Sequence, residues 1–172
     1  FSDDFSDNQL NKEWQFVRNP YWGNISLTER KNHLRLWTCD GQLFERRAKN
    51  TLLHREPEHY FQCITTLEFY PTKDGEQAGL TSYYSTNTYI RFSLCYEQQR
   101  CLQLVVKDGT DTNSDSGEKI IAQINNIPEE PIDLKIEVEG QCRSFYWKTK
   151  SASTEDWNFV EKVPACTFLC DE

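Results

Sequence analysis

The chain has 172 residues, a formal net charge of -8 and a sequence pI near 5.0. This length fits one domain with a single sizeable core. The acidic balance argues against partners that attract Lys and Arg patches, namely nucleic acid and an anionic membrane surface. No apolar run approaches the roughly 20 residues that a membrane span needs, so we expect no membrane partner.

The first third of the chain predicts short strands separated by polar loops. An acidic, turn-rich segment over residues 1–14 precedes a strand that begins at Trp14. Asn19-Pro20 then leads into a surface loop that carries Trp22. A hairpin is predicted over 26–37 around Lys31-Asn32, with its leucines facing inward. The next strand starts within 51–55.

The stretch 60–96 predicts three consecutive strands with turn residues between them. Apolar and polar residues alternate in three runs, over 60–69, 78–84 and 90–96. This period of two is typical of half-buried strands. Pro71 ends the first run by removing a hydrogen-bond donor, and Asn87 marks the second turn. We therefore expect three adjacent antiparallel strands, a β-meander.

The last part of the chain predicts more strands around one hydrophilic loop, which spans 110–118 and is expected to be mobile. The run 132–139 has the clearest alternation, with one face expected to be dry and the other wet. Further strands are predicted over 100–107, 118–124, 142–149 and 157–160. About eleven short strands without a helix favour an all-β fold, a two-sheet antiparallel β-sandwich.

The seven cysteines form an odd set scattered over different predicted strands. They lack the close pairs of a zinc site. We interpret them mainly as reduced thiols that act as small core hydrophobes, which favours the bacterial cytoplasm and leaves a periplasmic or secreted location open. Cys95 and Cys101 are the expected exception, because they flank a short turn.

Acidic residues are plentiful, but their pattern does not indicate a catalytic pair. Glycosidases need two carboxylates about 5–10 Å apart, one of them kept protonated. Glu137 and Glu139 share one face of a predicted strand, about 7 Å apart. Alternating charges opposite an apolar face are, however, the usual composition of an exposed strand. We therefore assign no catalytic residue.

No metal or cofactor site is assigned from the sequence. The histidines are too far apart in the predicted strand pattern for a metal site or a catalytic triad; they are His33, His54 and His59. Carboxylates near the two ends offer oxygen ligands for calcium, although acidic termini are usually only solvated; they are Asp3, Asp4, Asp171 and Glu172.

Aromatic residues are the more informative class, because sugar rings stack on Trp and Tyr while their hydroxyls bond to polar side chains. Trp22, Trp37 and three tyrosines are possible platforms, and core or inter-domain packing is the alternative for each. The candidate carbohydrate-binding or interface residues are Trp22, Tyr83, Tyr84, Tyr89 and Arg91. We predict that the aromatic members form an exposed patch, because the alternation keeps them out of the inter-sheet core.

Four stretches together resemble the C-terminal concanavalin A-like β-sandwich domain of family 43 glycoside hydrolases, the β-xylosidase and α-arabinofuranosidase group. They are FSDDFSDNQLNKEW, SLTERKNHLRLW, NTLLHREPEHYFQCITTLEFYP and GEQAGLTSYYSTNTYI. These stretches cover much of residues 1–163 in the family's order. The closing segment VPACTFLCDE departs from the pattern, because the family's last strands are missing after it. The resemblance therefore implies an excised C-terminal fragment, a single concanavalin A-like jelly-roll domain over 1–172.

In such enzymes the catalytic carboxylates belong to an N-terminal five-bladed propeller. The resemblance implies an accessory domain whose partner is that propeller and whose parent cleaves xylo- or arabino-oligosaccharides. The exposed aromatic patch would then be buried against the propeller. Two alternatives stay open: an independent glycan-binding, lectin-like module, and a self-contained sandwich hydrolase.

Overall fold

The structure is a computed structural model and describes residues 1–109 and 117–169. Contacts divide the chain into two compact units, Phe1–Glu56 and Pro57–Glu172. The predicted hydrophilic loop, except for its last two residues, and the carboxylates of the C-terminus lie outside the described residues. In the part of the chain that the structure describes, no helix is long and apolar enough to cross a membrane.

The unit Phe1–Glu56 consists mainly of loops held by short pairs of strands. Its elements are β1 (Gln15–Phe16), a 3-10 turn (Trp22–Asn24), β2 (Ile25–Ser26), β3 (Arg35–Leu36) and β4 (Leu52–Leu53). β1 pairs with β4, and β2 pairs with β3, both antiparallel. The predicted hairpin is confirmed, with Asn32 at a positive φ of 59° in its loop, but only two residues on each side pair.

The unit Pro57–Glu172 contains two antiparallel sheets, as the sequence predicted, and its described residues give each sheet four strands. Its strands are β5 (Tyr60–Leu67), β6 (Gln77–Ser85), β7 (Thr88–Tyr96), β8 (Arg100–Asp108), β9 (Lys119–Asn125), β10 (Ile132–Glu139), β11 (Cys142–Thr149) and β12 (Asn158–Val163). One sheet has the order β6-β7-β8-β9, and the other has the order β12-β11-β10-β5. A 3-10 turn (Thr167–Leu169) follows the last strand.

The inner faces of these two sheets share one hydrophobic core. Phe92 of β7 and Phe145 of β11 pack edge to face with ring centroids 5.4 Å apart, and both are fully buried. The other core residues from the central strands are Ile90, Leu94, Leu102, Leu104, Ile132, Leu134, Ile136 and Val138. The alternation of apolar residues along β7 and β10 therefore identified their core faces correctly, and the fold is the predicted two-sheet antiparallel β-sandwich.

The predicted meander is wrong in its first strand. β6 and β7 are adjacent, but β5 lies in the other sheet and pairs with β10 along its whole length. The loop that begins after Leu67 contains Pro71, and it carries the chain from one sheet to the other. Consecutive strands commonly pair, but a sandwich also needs connections that change sheets.

The second face of β10 is not the wet face that the alternation predicted. Asp133 and Lys135 point away from the core, yet Asp133 is only 6% exposed and Lys135 only 8%. Tyr146 of β11 and Trp157, which precedes β12, cover this face. Aromatic rings from neighbouring segments have therefore buried a row of charges that an isolated strand would expose.

Candidate interface and binding residues

Trp22 is the most exposed of the five candidate residues. It lies in the 3-10 turn of the unit Phe1–Glu56 and leaves 69% of its surface exposed. Its ring makes a T-shaped contact with the ring of Phe16, with 5.6 Å between the ring centroids. A large apolar side chain held this way is available to a partner.

Two further aromatic residues of the same unit are exposed and lie near Trp22, one along the chain and one through a backbone hydrogen bond. Tyr21 directly precedes it, and Trp37 bonds through its backbone N–H to the carbonyl of Asn24 at 3.0 Å. Tyr21 is 58% exposed and Trp37 is 40% exposed. We call Tyr21, Trp22 and Trp37 the Trp22 surface. Tyr21 is not among the candidate residues that the sequence indicated.

Basic side chains flank the Trp22 surface. The Lys49 ammonium lies 4.3 Å from the centre of the Tyr21 ring, and the Arg35 guanidinium lies 5.8 Å from that of Trp37. Such cation–π contacts attract the cations to the ring faces and leave much of each ring exposed. A cavity beside Tyr21 measures only about 10 Å³ and is too small for a sugar ring.

The prediction that Tyr89 is exposed is wrong. Tyr89 lies on the outer face of β7, away from the core, but it is fully buried. Its hydroxyl donates to Glu118 Oε1 at 2.6 Å, and Tyr83 stacks on its ring at 6.3 Å. Burial, reinforced by Glu118, raises the pKa of Tyr89, so the phenol remains a hydrogen-bond donor. Tyr89 is held in the fold and cannot serve as a sugar platform in this conformation.

Arg91 belongs to the same polar cluster on the outer face of β7. Its Nη1 donates to Ser93 Oγ at 2.6 Å, and its Nε lies 3.6 Å from Glu118 Oε1. Only 11% of its side chain is exposed. The guanidinium is thus held by Ser93 and Glu118, while its buried Nε makes no hydrogen bond within the described residues. Whether it also contacts a ligand stays a prediction.

Tyr84 is the remaining exposed candidate. It sits where the pairing of β6 with β7 shifts register, between Tyr83 and Ser85. The irregularity directs Tyr84 outward, with 43% of its surface exposed. Of the five candidates, Trp22 and Tyr84 are therefore exposed. Tyr89 is fully buried, and Tyr83 and Arg91 are partly buried.

A second aromatic group, which sequence reasoning missed, covers the outer face of β10 and β11. Lys135 Nζ lies 4.2 Å from the Tyr146 ring centre and 4.7 Å from that of Trp157. Lys148 Nζ lies beneath the same indole at 5.4 Å and bonds to Asp133 Oδ2 at 3.2 Å. The available signal was Trp157, the one large aromatic of the segment between β11 and β12.

The carboxylates on this face are held ionised. Burial alone would raise the pKa of Asp133, but hydrogen bonds from Thr66 and Lys148 and the nearby lysine charges lower it overall. A hydrogen bond from Lys135 at 2.8 Å lowers the pKa of Glu137. A general acid needs the opposite shift. This geometry therefore supports ion pairing rather than glycosidase chemistry at β10.

Asp3, one of the suggested calcium ligands, has a structural role within its own unit. Its Oδ2 accepts the indole N–H of Trp14 at 2.8 Å, and its Oδ1 accepts the backbone N–H of Phe5 at 2.9 Å. Among the described residues, no group of three or more His, Cys, Asp or Glu is placed to hold a metal ion.

Comparison with known protein families decides which family this sandwich represents. The family described as the beta-xylosidase C-terminal concanavalin A-like domain matches residues 2–172. The chain belongs to this family. The resemblance in the four quoted stretches is thereby confirmed.

The relatives of this β-xylosidase-type domain are longer proteins. A curated "Beta-xylosidase" of Bacillus subtilis is 28% identical over 175 aligned positions, which are 99% of this chain and 31% of the relative. The crystal structure of the GH43 protein BlXynB from Bacillus licheniformis matches with 36% identity and a TM-score of 0.88, over 98% of this chain and 31% of that one. A xylan beta-1,4-xylosidase from Bacillus halodurans, 23% identical with a TM-score of 0.84, shares the fold. The domain spans about 31% of the length of these proteins.

The GEQAGL part of the resemblance has a structural explanation in this domain. A Cβ atom at Gly79 would lie 2.2 Å from the carbonyl oxygen of Phe92, so only glycine allows β6 to approach β7 there. Glu76 Oε2 accepts the backbone N–H groups of Thr72 and Lys73, at 2.8 and 3.2 Å, and closes the turn before β6. These residues therefore specify the fold and do not indicate a site.

Proposed function

We propose that this chain is the C-terminal accessory domain of a family 43 glycoside hydrolase of the β-xylosidase type, acting in xylan or arabinan breakdown. The observation that carries the proposal is the family match over residues 2–172, together with relatives of which the domain forms 31%. The remaining two thirds of these relatives' length leave room for an N-terminal catalytic propeller. The domain stabilises this propeller and helps to shape its substrate pocket.

The chemistry of the described residues supports an assisting role. Glu137 is ionised and bonded to Lys135, and Asp133 is buried in ion pairs with Lys148 and Lys150. Neither carboxylate has the raised pKa of a general acid. We accordingly assign the hydrolysis of pentoside substrates to the parent protein, and no hydrolysis to this chain alone.

The Trp22 surface is the contact area proposed for the propeller. Tyr21, Trp22 and Trp37 are all exposed, and large exposed aromatic side chains commonly mark an interface. Hydrogen-bonded, buried residues such as Tyr89 would instead stabilise the domain itself. Trp22 and Tyr89, which the sequence placed in one patch, thus have different roles: Trp22 contacts the propeller, and Tyr89 stabilises the domain.

Hydrolysis assays on two proteins test the proposal. The full-length protein and the separate 172-residue chain are compared on aryl β-xylosides and aryl α-arabinofuranosides. We expect turnover by the full-length protein alone. Turnover by the separate chain would contradict the accessory role, and so would a full-length protein that cleaves neither substrate.

A second candidate function is an independent carbohydrate-binding module. The exposed rings of Trp22 and Tyr21 favour it, because flat aromatic surfaces stack on sugar rings. Titration of the chain with xylo-oligosaccharides tests it, with Trp22→Ala as the matched variant. Binding at millimolar concentrations or below that is lost in the variant would support the module, and no binding would exclude it.

A further inference from the structure

Two cysteine side chains face each other across the hairpin formed by β7 and β8. Cys95 and Cys101 are directly opposite residues in the antiparallel register. Opposite residues in such pairs have Cα atoms about 4.5 or 5.5 Å apart. Both separations lie inside the range of about 4.4–6.8 Å that a disulfide allows. The backbone therefore already has the spacing of a cross-strand disulfide.

The side chains also point towards each other. The two Sγ atoms are 3.1 Å apart, closer than unbonded sulfur atoms usually approach, and both residues are present as thiols. Cys95 is 3% exposed and Cys101 is fully buried. The remaining step to a covalent bond is a small movement of the two sulfur atoms, with no rearrangement of the strands.

The surroundings hold this end of the hairpin in place. Arg100, next to Cys101, donates from Nη2 to the carbonyls of Phe69 and Glu130 at 3.1 and 2.9 Å. Gln98, in the turn, donates its backbone N–H to Asp74 Oδ1 at 3.0 Å and has a φ of 60°. The thiols thus sit in a fixed frame.

We propose that Cys95 and Cys101 form a reversible redox pair that closes into a disulfide joining β7 to β8. The oxidant is a small-molecule disulfide of the glutathione class. The thiolate of one cysteine attacks the glutathione disulfide and releases one glutathione. The thiolate of the other then attacks the mixed disulfide, forms the Cys95–Cys101 bond and releases the second glutathione. Two protons and two electrons pass from the cysteines to the two released thiols.

Burial makes this pair slow to react and well protected once closed. Thiolate, not thiol, is the attacking species. Burial and the hydrogen bond with Cys101 raise the pKa of Cys95, which keeps it protonated. Exchange therefore requires a local opening of the turn, and the closed disulfide is shielded from reductant in the same way.

Mass spectrometry of the full-length protein tests the pair, because trypsin cleaves after Arg100, between the two cysteines. The protein is incubated with oxidised glutathione until the products no longer change, with and without urea below the unfolding transition to speed the opening. It is then denatured, alkylated and digested. We expect peptides 92–100 and 101–107 to be recovered joined, in nearly all molecules, and to separate after reduction.

Cys39 and Cys142 provide internal controls, since each occupies a separate tryptic peptide and neither lies opposite a cysteine in the described pairing. Both should be recovered alkylated or glutathionylated. In Cys95→Ser, peptide 101–107 should no longer join any other peptide. Recovery of Cys95 and Cys101 as separate alkylated or glutathionylated peptides, with urea as well as without it, would overturn the proposal.

Discussion

Removing Asp133 from the ion pair beneath Trp157 should destabilise the sandwich far more than a surface charge change. The carboxylate of Asp133 and the ammonium of Lys148 are 3.2 Å apart, and their side chains are only 8% and 7% exposed. Asp133→Asn removes the counter-charge of Lys148 and leaves this ammonium buried, near the Ala152 carbonyl at 3.5 Å and the Trp157 ring at 5.4 Å. Removing one partner of a buried pair costs about 3–5 kcal/mol.

The reverse substitution should cost less, because Asp133 keeps other partners. In Lys148→Met, the carboxylate still accepts from Thr66 Oγ1 at 2.7 Å and pairs with Lys150 at 3.4 Å. We expect a loss of about 1.5–3 kcal/mol, the cost of a lost hydrogen bond to a charged group. The double variant should lose less than the sum of both, because each single change isolates a charge that the double change removes.

Urea unfolding followed by circular dichroism measures these free energies, provided that the slope m stays constant across the variants. Glu139→Gln is the matched control on the same strand, because Glu139 and Lys162 form an exposed pair, 64% and 46% accessible. We expect this control to change stability by less than about 1 kcal/mol. An Asp133→Asn loss no larger than that of the control, or smaller than that of Lys148→Met, would refute the reasoning.

The remaining predictions concern acid, backbone spacing, the core and the interface. Burial opposes ionisation of Asp133, but hydrogen bonds and lysine charges hold its pKa below 3.8. The stability that ionised Asp133 contributes should therefore be complete above pH 3.8 and disappear as the pH falls through the lowered pKa. In Asp133→Asn, the urea midpoint should depend less on pH over this range. Gly79→Ala should lower stability by about 2 kcal/mol or more, whereas Gly23→Ala, where the added Cβ meets no atom within 4 Å, should change little in the same urea assay. Phe145→Ala should cost about 3–5 kcal/mol, and a smaller loss would indicate a loosely packed core. Trp22→Ala should lower the stability of the full-length protein by about 1–4 kcal/mol and leave that of the separate domain nearly unchanged, and equal effects in both would argue against an interface at Trp22.

The sequence by itself determined the strands and their buried faces. Alternation along β7 and β10 placed Phe92 and Leu134 in the core, where the structure has them. This worked because side-chain direction in a strand depends only on position along that strand. The turn between Cys95 and Cys101 was also encoded by local sequence. The same holds for the GEQAGL stretch, in which Glu76 closes the turn before β6 and Gly79 allows β6 to pair closely with β7.

Tertiary structure alone decided which strands pair over long sequence separations and which outward residues are covered. β5 pairs with β10, some 70 positions later in the chain, and no local pattern encodes that choice. Tyr89 faces outward, as the alternation required, yet it is buried, and Trp157 covers Asp133 in the same manner. Burial depends on what distant segments bring to a face, whereas alternation reports only which face a residue occupies.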